Sequence, residues 1–225
     1  MQEKSGAYII LPVYNEARII NRVIEEITQA GYHRIIAVND GSSDDTFSLL
    51  NQHELIVLRH LINRGKGAAI KTGVEAAKTF GAKVVVTMDA DGQHNPQDIE
   101  KMLQAVQNGY DVALGSRPKS PKTMPLTKIV ANCVGNIVTW LIFGLWVSDS
   151  QSGFRVYSQK AINLIDTASD RYEYESEVIK EIKRHKLKFI EIPIEERYTD
   201  YSKNKTHKQN FINGLKTAIK LILSA

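Results

Sequence analysis

Apolar residues along this chain follow two rhythms. Short unbroken runs, YIIL at 8–11, RIIAVN at 34–39, LIVLRH at 55–60, KVVVTM at 83–88 and DVALG at 111–115, have the length and β-branched content of buried strands. Between them the apolar spacing widens to three and four. Ile19, Ile20, Val23, Ile24 and Ile27 lay one stripe along a helix over Ala17–Ala30, and Gly67–Phe80 forms another. Ser43 or Asp44 is placed to cap a short helix through DDTFSLL, and Asn95-Pro96 opens a further one with proline in its first turn. Unbroken strands alternating with amphipathic helices predict an α/β fold, a mostly parallel central sheet with helices on both faces.

Ligands of such sheets bind beyond the carboxyl ends of the strands. The polar clusters of this chain fall there: PVYNE after the first strand, NDGSSDD after the second, NRGKG after the third, DADGQH after the fourth and GSR after the fifth. Five polar loops on one rim describe a single site.

The second half is less regular. Ile129–Val147 carries no charge over 19 positions, which suggests a membrane span. Asn132, Asn136 and Thr139 recur at helical spacing, however, and glycines interrupt the run, so an amphipathic helix, packed or lying at an interface, is expected instead. KFIEIPIE at 188–195 reads as another strand. The tail NFINGLKTAIKLILSA places Phe211, Leu215, Ile219 and Ile222 on one helical face with Lys216 and Lys220 beside it. The expected organisation is one domain over 1–200 with a basic amphipathic extension over 201–225.

Composition refines this picture. A chain of 225 residues, 43% hydrophobic and 24% charged, can bury a core in one large domain. The net charge of +4 is uneven, with 11 Lys and Arg against 5 Asp and Glu from Lys180 onward, and 18 against 20 before it. That basic C-terminal fifth suits an anionic partner such as phosphate or lipid headgroups. Acidic loops around NRGKG disfavour nucleic acid. Cys133, the single cysteine, excludes an internal disulfide, fits a reducing compartment, and reads as a packed thiol. MQEKSGAYIILPVYNE is polar and then broken by Pro12, so no secretory signal is expected.

Asp89 and Asp91 hold the central chemistry. Side chains two apart on an extended segment share a side, so both can face one ligand. Mg²⁺ is usually held by one or two carboxylates with phosphate oxygens and water, which makes a diphosphate the matching ligand. Tyr14 offers an aromatic surface, Glu16 and Asp40 offer acceptors for a base or ribose, and Gly41 permits a tight turn. NRGKGAAIKTG lacks the Gly-Lys-Ser/Thr of a P-loop, yet Lys66 at a helix start can approach a phosphate. His94 beside the acidic pair reads as a helix-entry residue rather than a ligand.

LPVYNE, VNDGSSDDT, NRGKGAAIKTG, MDADGQH, GSR and DSQSGFRVY occur in the order and spacing of the family 2 glycosyltransferases. The chain resembles the branch that makes polyprenyl-phosphate sugars, the dolichol-phosphate mannose synthases and dolichyl-phosphate glucosyltransferase-like enzymes, over about residues 7–200. The resemblance implies a GT-A fold, Rossmann-like, and a Mg²⁺ or Mn²⁺ cofactor on Asp89, Asp91 and Gln93. It implies that Pro12, Tyr14, Glu16, Asp40, Lys66, Asp89 and Ala90 bind the nucleotide. Arg117, Ser152, Arg155, Arg197, Ser202 and Lys203 would surround the acceptor and donor phosphates. One position departs from the pattern: Asn39-Asp40 stands where the family commonly carries two aspartates.

The expected activity is inverting transfer of a hexose from a UDP- or GDP-linked donor to a polyprenyl phosphate, by a protein lying peripherally on the cytoplasmic face of the membrane. A phosphate monoester, with a second pKa of about 6, is already ionised at neutral pH and needs no general base. Were one required, Asp149 is the first candidate. Glu175 and Glu177 follow, although both read as a solvated helix face. Two rivals are transfer of the same sugar to a lipid-linked glycan or cell-surface polysaccharide, and a nucleotide-sugar-binding module without turnover. A nucleotidyltransferase of similar fold is disfavoured because LPVYNE replaces its Gly-rich basic opening.

Overall fold

The computed structural model describes residues 6–117, 126–171, 173–195 and 197, and for 126–132, 135 and 138 the backbone alone. Its elements run β1 (Tyr8–Val13), α1 (Ile20–Gln29), β2 (Ile35–Asp40), α2 (Thr46–Leu50), β3 (Ile56–His60), α3 (Lys66–Thr79), β4 (Val84–Thr87), α4 (Asp98–Gln107), β5 (Val112–Ser116), α5 (Leu126–Phe143), β6 (Arg155–Ser158), α6 (Gln159–Leu164), α7 (Glu173–Arg184) and β7 (Phe189–Pro193). The six strands expected from apolar runs are all present. The expected extension over 201–225 lies outside the described residues.

Seven strands form one sheet in the order β3-β2-β1-β4-β6-β5-β7. Neighbours are parallel except where β6 runs against both β4 and β5. Because β6 is antiparallel to two neighbours, β5 and β7 regain the direction of β1–β4. The carboxyl ends of the other six strands therefore share one rim, and the segment entering β6 at Arg155 joins them there. The sequence reading omitted β6, because four residues beginning with arginine and flanked by polar loops carry no strand-length apolar run.

Alternation along each strand divides the core. Ile9, Leu11 and Val13 face α1 and α4 residues such as Val23, Ile27, Ile99 and Met102. Ile10, Ile36 and Val38 face the opposite layer, with Ile70 and Ala77 of α3 and Val178, Ile179 and Ile182 of α7. Gly73 lets α3 approach the sheet closely, since a Cβ there would run into Ile10 Cγ2 and come 3.3 Å from Val38 Cγ2. Gly41, at φ 67°, turns the chain after β2 where a Cβ would meet the Ile62 carbonyl carbon at 2.5 Å.

Helix α5 is amphipathic as expected, with Asn136 and Thr139 of its polar stripe turned inward; the Asn132 side chain lies outside the described residues. Asn136 and Thr139 are buried. Asn136 donates to the Ser148 carbonyl and accepts from the Ser150 amide (2.9 Å) and hydroxyl (2.8 Å). Val134, Ile137, Trp140 and Leu141 are instead 41% to 69% exposed. The expected packed thiol is corrected by the same inversion, because Cys133 lies on the exposed side. Among the described residues no helix is long and apolar enough to cross a membrane.

Two stability measurements test this packing. Gly73→Ala should lower the urea midpoint by the equivalent of about 1–3 kcal/mol, although alanine ordinarily favours a helix over glycine by about 1 kcal/mol. Asn136→Leu makes α5 more apolar yet should cost about 1–3 kcal/mol, because it strands the polar groups of Ser148 and Ser150.

Candidate active site

The rim loops converge as their sequences predict, and the centre of the site is a partly buried ionic contact. Asp89 follows β4, and its carboxylate meets the Lys66 ammonium at 2.6 Å. Lys66 begins α3 and also meets Glu175 of α7 at 2.8 Å. Burial opposes the charge on Lys66, but Asp89 and Glu175 outweigh it and raise the pKa above the ordinary lysine value. Burial likewise opposes ionisation of Asp89. Lys66 first, with Arg117 farther off, holds its carboxyl below the usual range.

Glu175 was expected on a solvated helix face, and the structure corrects that. It is 3% exposed, with Val178, Ile179 and Ile182 of the same helix in the core. The signal was present in the sequence, since Glu175 stands three, four and seven residues before those apolar positions. Glu177 accepts from the Ser169 amide at 2.8 Å.

Gly153 makes room for this cluster. A Cβ there would come within 2.5 Å of Lys66 Nζ and 2.8 Å of Asp89 Oδ1. Thr87 donates to the Gly153 carbonyl at 2.8 Å, fastening that segment to β4. His94 is buried, stacked 5.0 Å from Phe154, and accepts at Nδ1 from the Asp89 amide at 3.2 Å. Burial first lowers its pKa, so the ring is a neutral support for the Asp89 backbone.

The donor-side residues fall where expected in sequence but divide in their surroundings. Tyr14 is 38% exposed just beyond β1, and Pro12 lies within β1 opposite Val38. Glu16 is buried, its carbonyl accepting from the Ile19 and Ile20 amides before α1. Ala90 is buried between the two aspartates. Asp40, expected to accept from base or ribose, is engaged by protein. It accepts from the Arg64 amide (2.9 Å) and the Gly65 amide (2.7 Å), and its carboxylate lies 2.7 Å from His60 Nδ1. That carboxylate holds the loop presenting Lys66. The cap expected at Ser43 or Asp44 falls instead at Asp45, which makes no side-chain cap bond, while Asp44 accepts from the Thr46 amide at 3.1 Å.

Among the phosphate candidates the structure separates one from the rest. Arg117, after β5, grips Asp149 through Nε (2.6 Å) and Nη2 (2.8 Å). Asp149 also accepts from the Arg117 amide at 3.2 Å. Arg155 turns inward, donating to the carbonyls of Ser152 (2.9 Å), Ser150 (2.9 Å) and Glu175 (3.0 Å). It braces the loops rather than opening toward a phosphate. Arg197 Nη1 pairs with Glu26 of α1 at 3.0 Å, while its amide donates to the Gln93 carbonyl at 2.7 Å. Ser202 and Lys203 lie outside the described residues.

The oxygen-rich acidic loop fits a hard divalent cation. Asp91 accepts at Oδ1 from the Gln93 amide at 3.1 Å, which shapes the loop. Among the described residues no group of three or more His, Cys, Asp or Glu is arranged to enclose a metal. Asp89 balanced by a lysine, beside the space left by Gly153, also suits a site where one positive charge is exchanged for another. Ser152 Oγ, Arg155 Nη1 and Glu175 Oε2 are buried without a hydrogen-bond partner among the described residues.

Comparison with known proteins agrees with this geometry. Residues 8–165 match the family described as glycosyl transferase family 2. A UDP-N-acetylglucosamine–dolichyl-phosphate N-acetylglucosaminyltransferase of Methanococcus voltae is 36% identical, covering 96% of this chain and 94% of its own. The polyprenol monophosphomannose synthase of Mycolicibacterium smegmatis is 29% identical over 83% of this chain and 75% of its own. The fold matches glucosyl-3-phosphoglycerate synthase of Mycobacterium tuberculosis, solved with Mn²⁺ and UDP-glucose, with a TM-score of 0.73 at 18% identity over 97% of this chain and 78% of that one. With a GT-A sheet carrying an acidic loop at its rim and a family match over most of its length, this chain belongs to the family 2 glycosyltransferases and is a sugar-transferring enzyme.

Proposed function

We propose that this enzyme transfers a hexose from a UDP- or GDP-linked donor to a dolichyl or polyprenyl phosphate, with inversion, at the cytoplasmic face of a membrane. The observation that carries the reading is the Asp89–Asp91 loop lying against Lys66 at the rim, with Arg117 close by. It is a place for a diphosphate and for a second, incoming phosphate. The acceptor class is supported by relatives named for dolichyl-phosphate and polyprenol transfer, one of them 36% identical across 96% of the chain.

In this reading Asp89 and Asp91, with Gln93, would hold Mg²⁺ or Mn²⁺, which when bound would supply charge neutralisation for the nucleoside diphosphate. Tyr14, Pro12, Glu16 and Ala90 line the nucleotide side. Lys66 is freed from Asp89 to face a donor phosphate while Glu175 retains it. Arg117 orients the acceptor phosphate, whose ionised oxygen attacks the anomeric carbon from the face opposite the leaving group. The donor's bond from that carbon to its phosphate oxygen breaks as the new carbon–oxygen bond forms. No proton needs removing, so Asp149 serves by aiming the Arg117 fork.

Two experiments test the assignment. Wild-type enzyme with labelled UDP-glucose, UDP-N-acetylglucosamine or GDP-mannose and one polyprenyl phosphate should place label in an acid-labile lipid phosphate. Asp91→Ala should lower that yield by about a thousandfold with the fold unchanged by circular dichroism. Label found only in polysaccharide would remove the acceptor assignment. Asp149→Asn should slow transfer about a hundredfold through misplacement of Arg117, leaving the pH profile of the rate unshifted. Loss of an acidic limb present in the wild type would instead make Asp149 a general base.

A further inference from the structure

We infer that His60, the last residue of β3, is a positioning residue for donor binding, and that it acts through Asp40 on the backbone from which Lys66 extends. The inference rests on the reading of Lys66 as a contact to a donor phosphate. It assigns a role to a side chain whose ring nitrogens meet only protein groups among the described residues.

His60 is buried, and both ring nitrogens are engaged. Nδ1 lies 2.7 Å from Asp40 Oδ1, and Nε2 lies 3.0 Å from Thr72 Oγ1 of α3. Asp40 also takes the Arg64 amide at Oδ1 (2.9 Å) and the Gly65 amide at Oδ2 (2.7 Å). A carboxylate receiving two backbone N–H groups is an acceptor, so the hydrogen between it and the ring sits on Nδ1. The Thr72 hydroxyl serves Nε2 whether that nitrogen accepts or donates.

These contacts close a circuit. Asp40 holds Gly65, Gly65 leads into α3, Thr72 of α3 meets the ring, and the ring returns to Asp40. Gly65 has little room to move within it. Its φ of 110° is backbone that favours glycine, and a Cβ there would run into the Asp170 carbonyl oxygen. Two adjacent amides alone would leave the Asp40 carboxylate free to turn about its terminal bond, which has broad preferences. The third bond comes from a rigid ring anchored on another element, and it removes that freedom.

Lys66 is the next residue, and it is the one whose partner changes in the proposed reaction. A long side chain that passes from Asp89 to a donor phosphate places its charge only as well as its own backbone is placed. Loss of the ring should therefore weaken donor binding and spare the acceptor side. There Arg117 is aimed by Asp149, on segments outside this circuit.

Two substitutions at His60 separate this role from simple packing. Asparagine sets a side-chain N–H where Nδ1 stands, and glutamine sets one where Nε2 stands. His60→Gln should raise the donor KM about tenfold while the acceptor KM stays within about twofold. Calorimetric titration with UDP and with GDP, each with Mn²⁺, should show the same loss for the nucleotide that the wild-type enzyme binds. His60→Asn should stay within about threefold of wild type in both measurements. Packing alone would favour glutamine, the closer of the two in volume. Lys66→Met should itself lower donor affinity, and adding His60→Gln to it should cost little more, because the second substitution acts through the first residue. Wild-type donor affinity in Lys66→Met removes the reading of Lys66, and this inference with it. If Lys66→Met does weaken donor binding, a His60→Gln enzyme equal to wild type overturns the His60 inference alone. Full additivity of the two substitutions does the same. Equal losses in His60→Asn and His60→Gln, with matching falls in melting temperature, also overturn it and leave His60 a core residue.

Discussion

Three charged side chains, Glu175 buried and Lys66 and Asp89 half-buried beside it, set the terms for this molecule. Asp89 and Glu175 would repel each other at the rim, and Lys66 lies between them as the compensating charge. Burying charge is costly unless partners are held at close range, so the surrounding chain is organised to fix that range. Asp40 takes the Arg64 and Gly65 amides and sets where α3 begins. The Ala68 amide donates to the Asp170 carbonyl at 3.0 Å, tying the first turn of α3 to the segment that leads into α7. Gly153 withholds the side chain that would separate lysine from aspartate.

That arrangement is costly to disturb and simple to rewire. A lysine shared by two carboxylates can keep one partner while giving up the other, provided an incoming cation replaces it. The same logic applies to Arg117, whose bidentate hold on Asp149 aims a fork that matches phosphate oxygens. Both cations are preorganised by carboxylates before any substrate arrives, which lowers the reorganisation needed when negative charge enters. The inward arginine, Arg155, has another task. By satisfying three backbone carbonyls it fastens the irregular chain entering β6 to α7.

The parallel half of the sheet and the acidic loop could be read residue by residue, because unbroken β-branched runs and i, i+3, i+4 stripes are local signals. The antiparallel β6 was not legible. Four residues starting at Arg155 have no period long enough to announce a strand, and their pairing with Val84–Thr87 and Val112–Leu114 is a long-range fact. Glu175 was misread for a related reason. Its charge outweighed its position on an apolar helix face, and the lysine that compensates it lies more than a hundred residues earlier. Cys133 was misread because the polarity of α5 runs opposite to the usual rule, with amides and hydroxyls of the Ser148–Ser150 loop awaiting its polar stripe.

By itself the sequence determined six of the seven strands, that their polar loops gather at one end, and that two aspartates stand there after a buried run. Those follow from hydrophobic period and chain direction, which are properties of neighbouring residues. Only the tertiary structure decided how the charges are shared: Lys66 with Asp89 and Glu175, Arg117 with Asp149, Arg155 with backbone, and Arg197 with Glu26. Such pairings depend on distances between elements far apart in the chain. Electrostatic partners are chosen by proximity after folding, so the residue types alone leave them open.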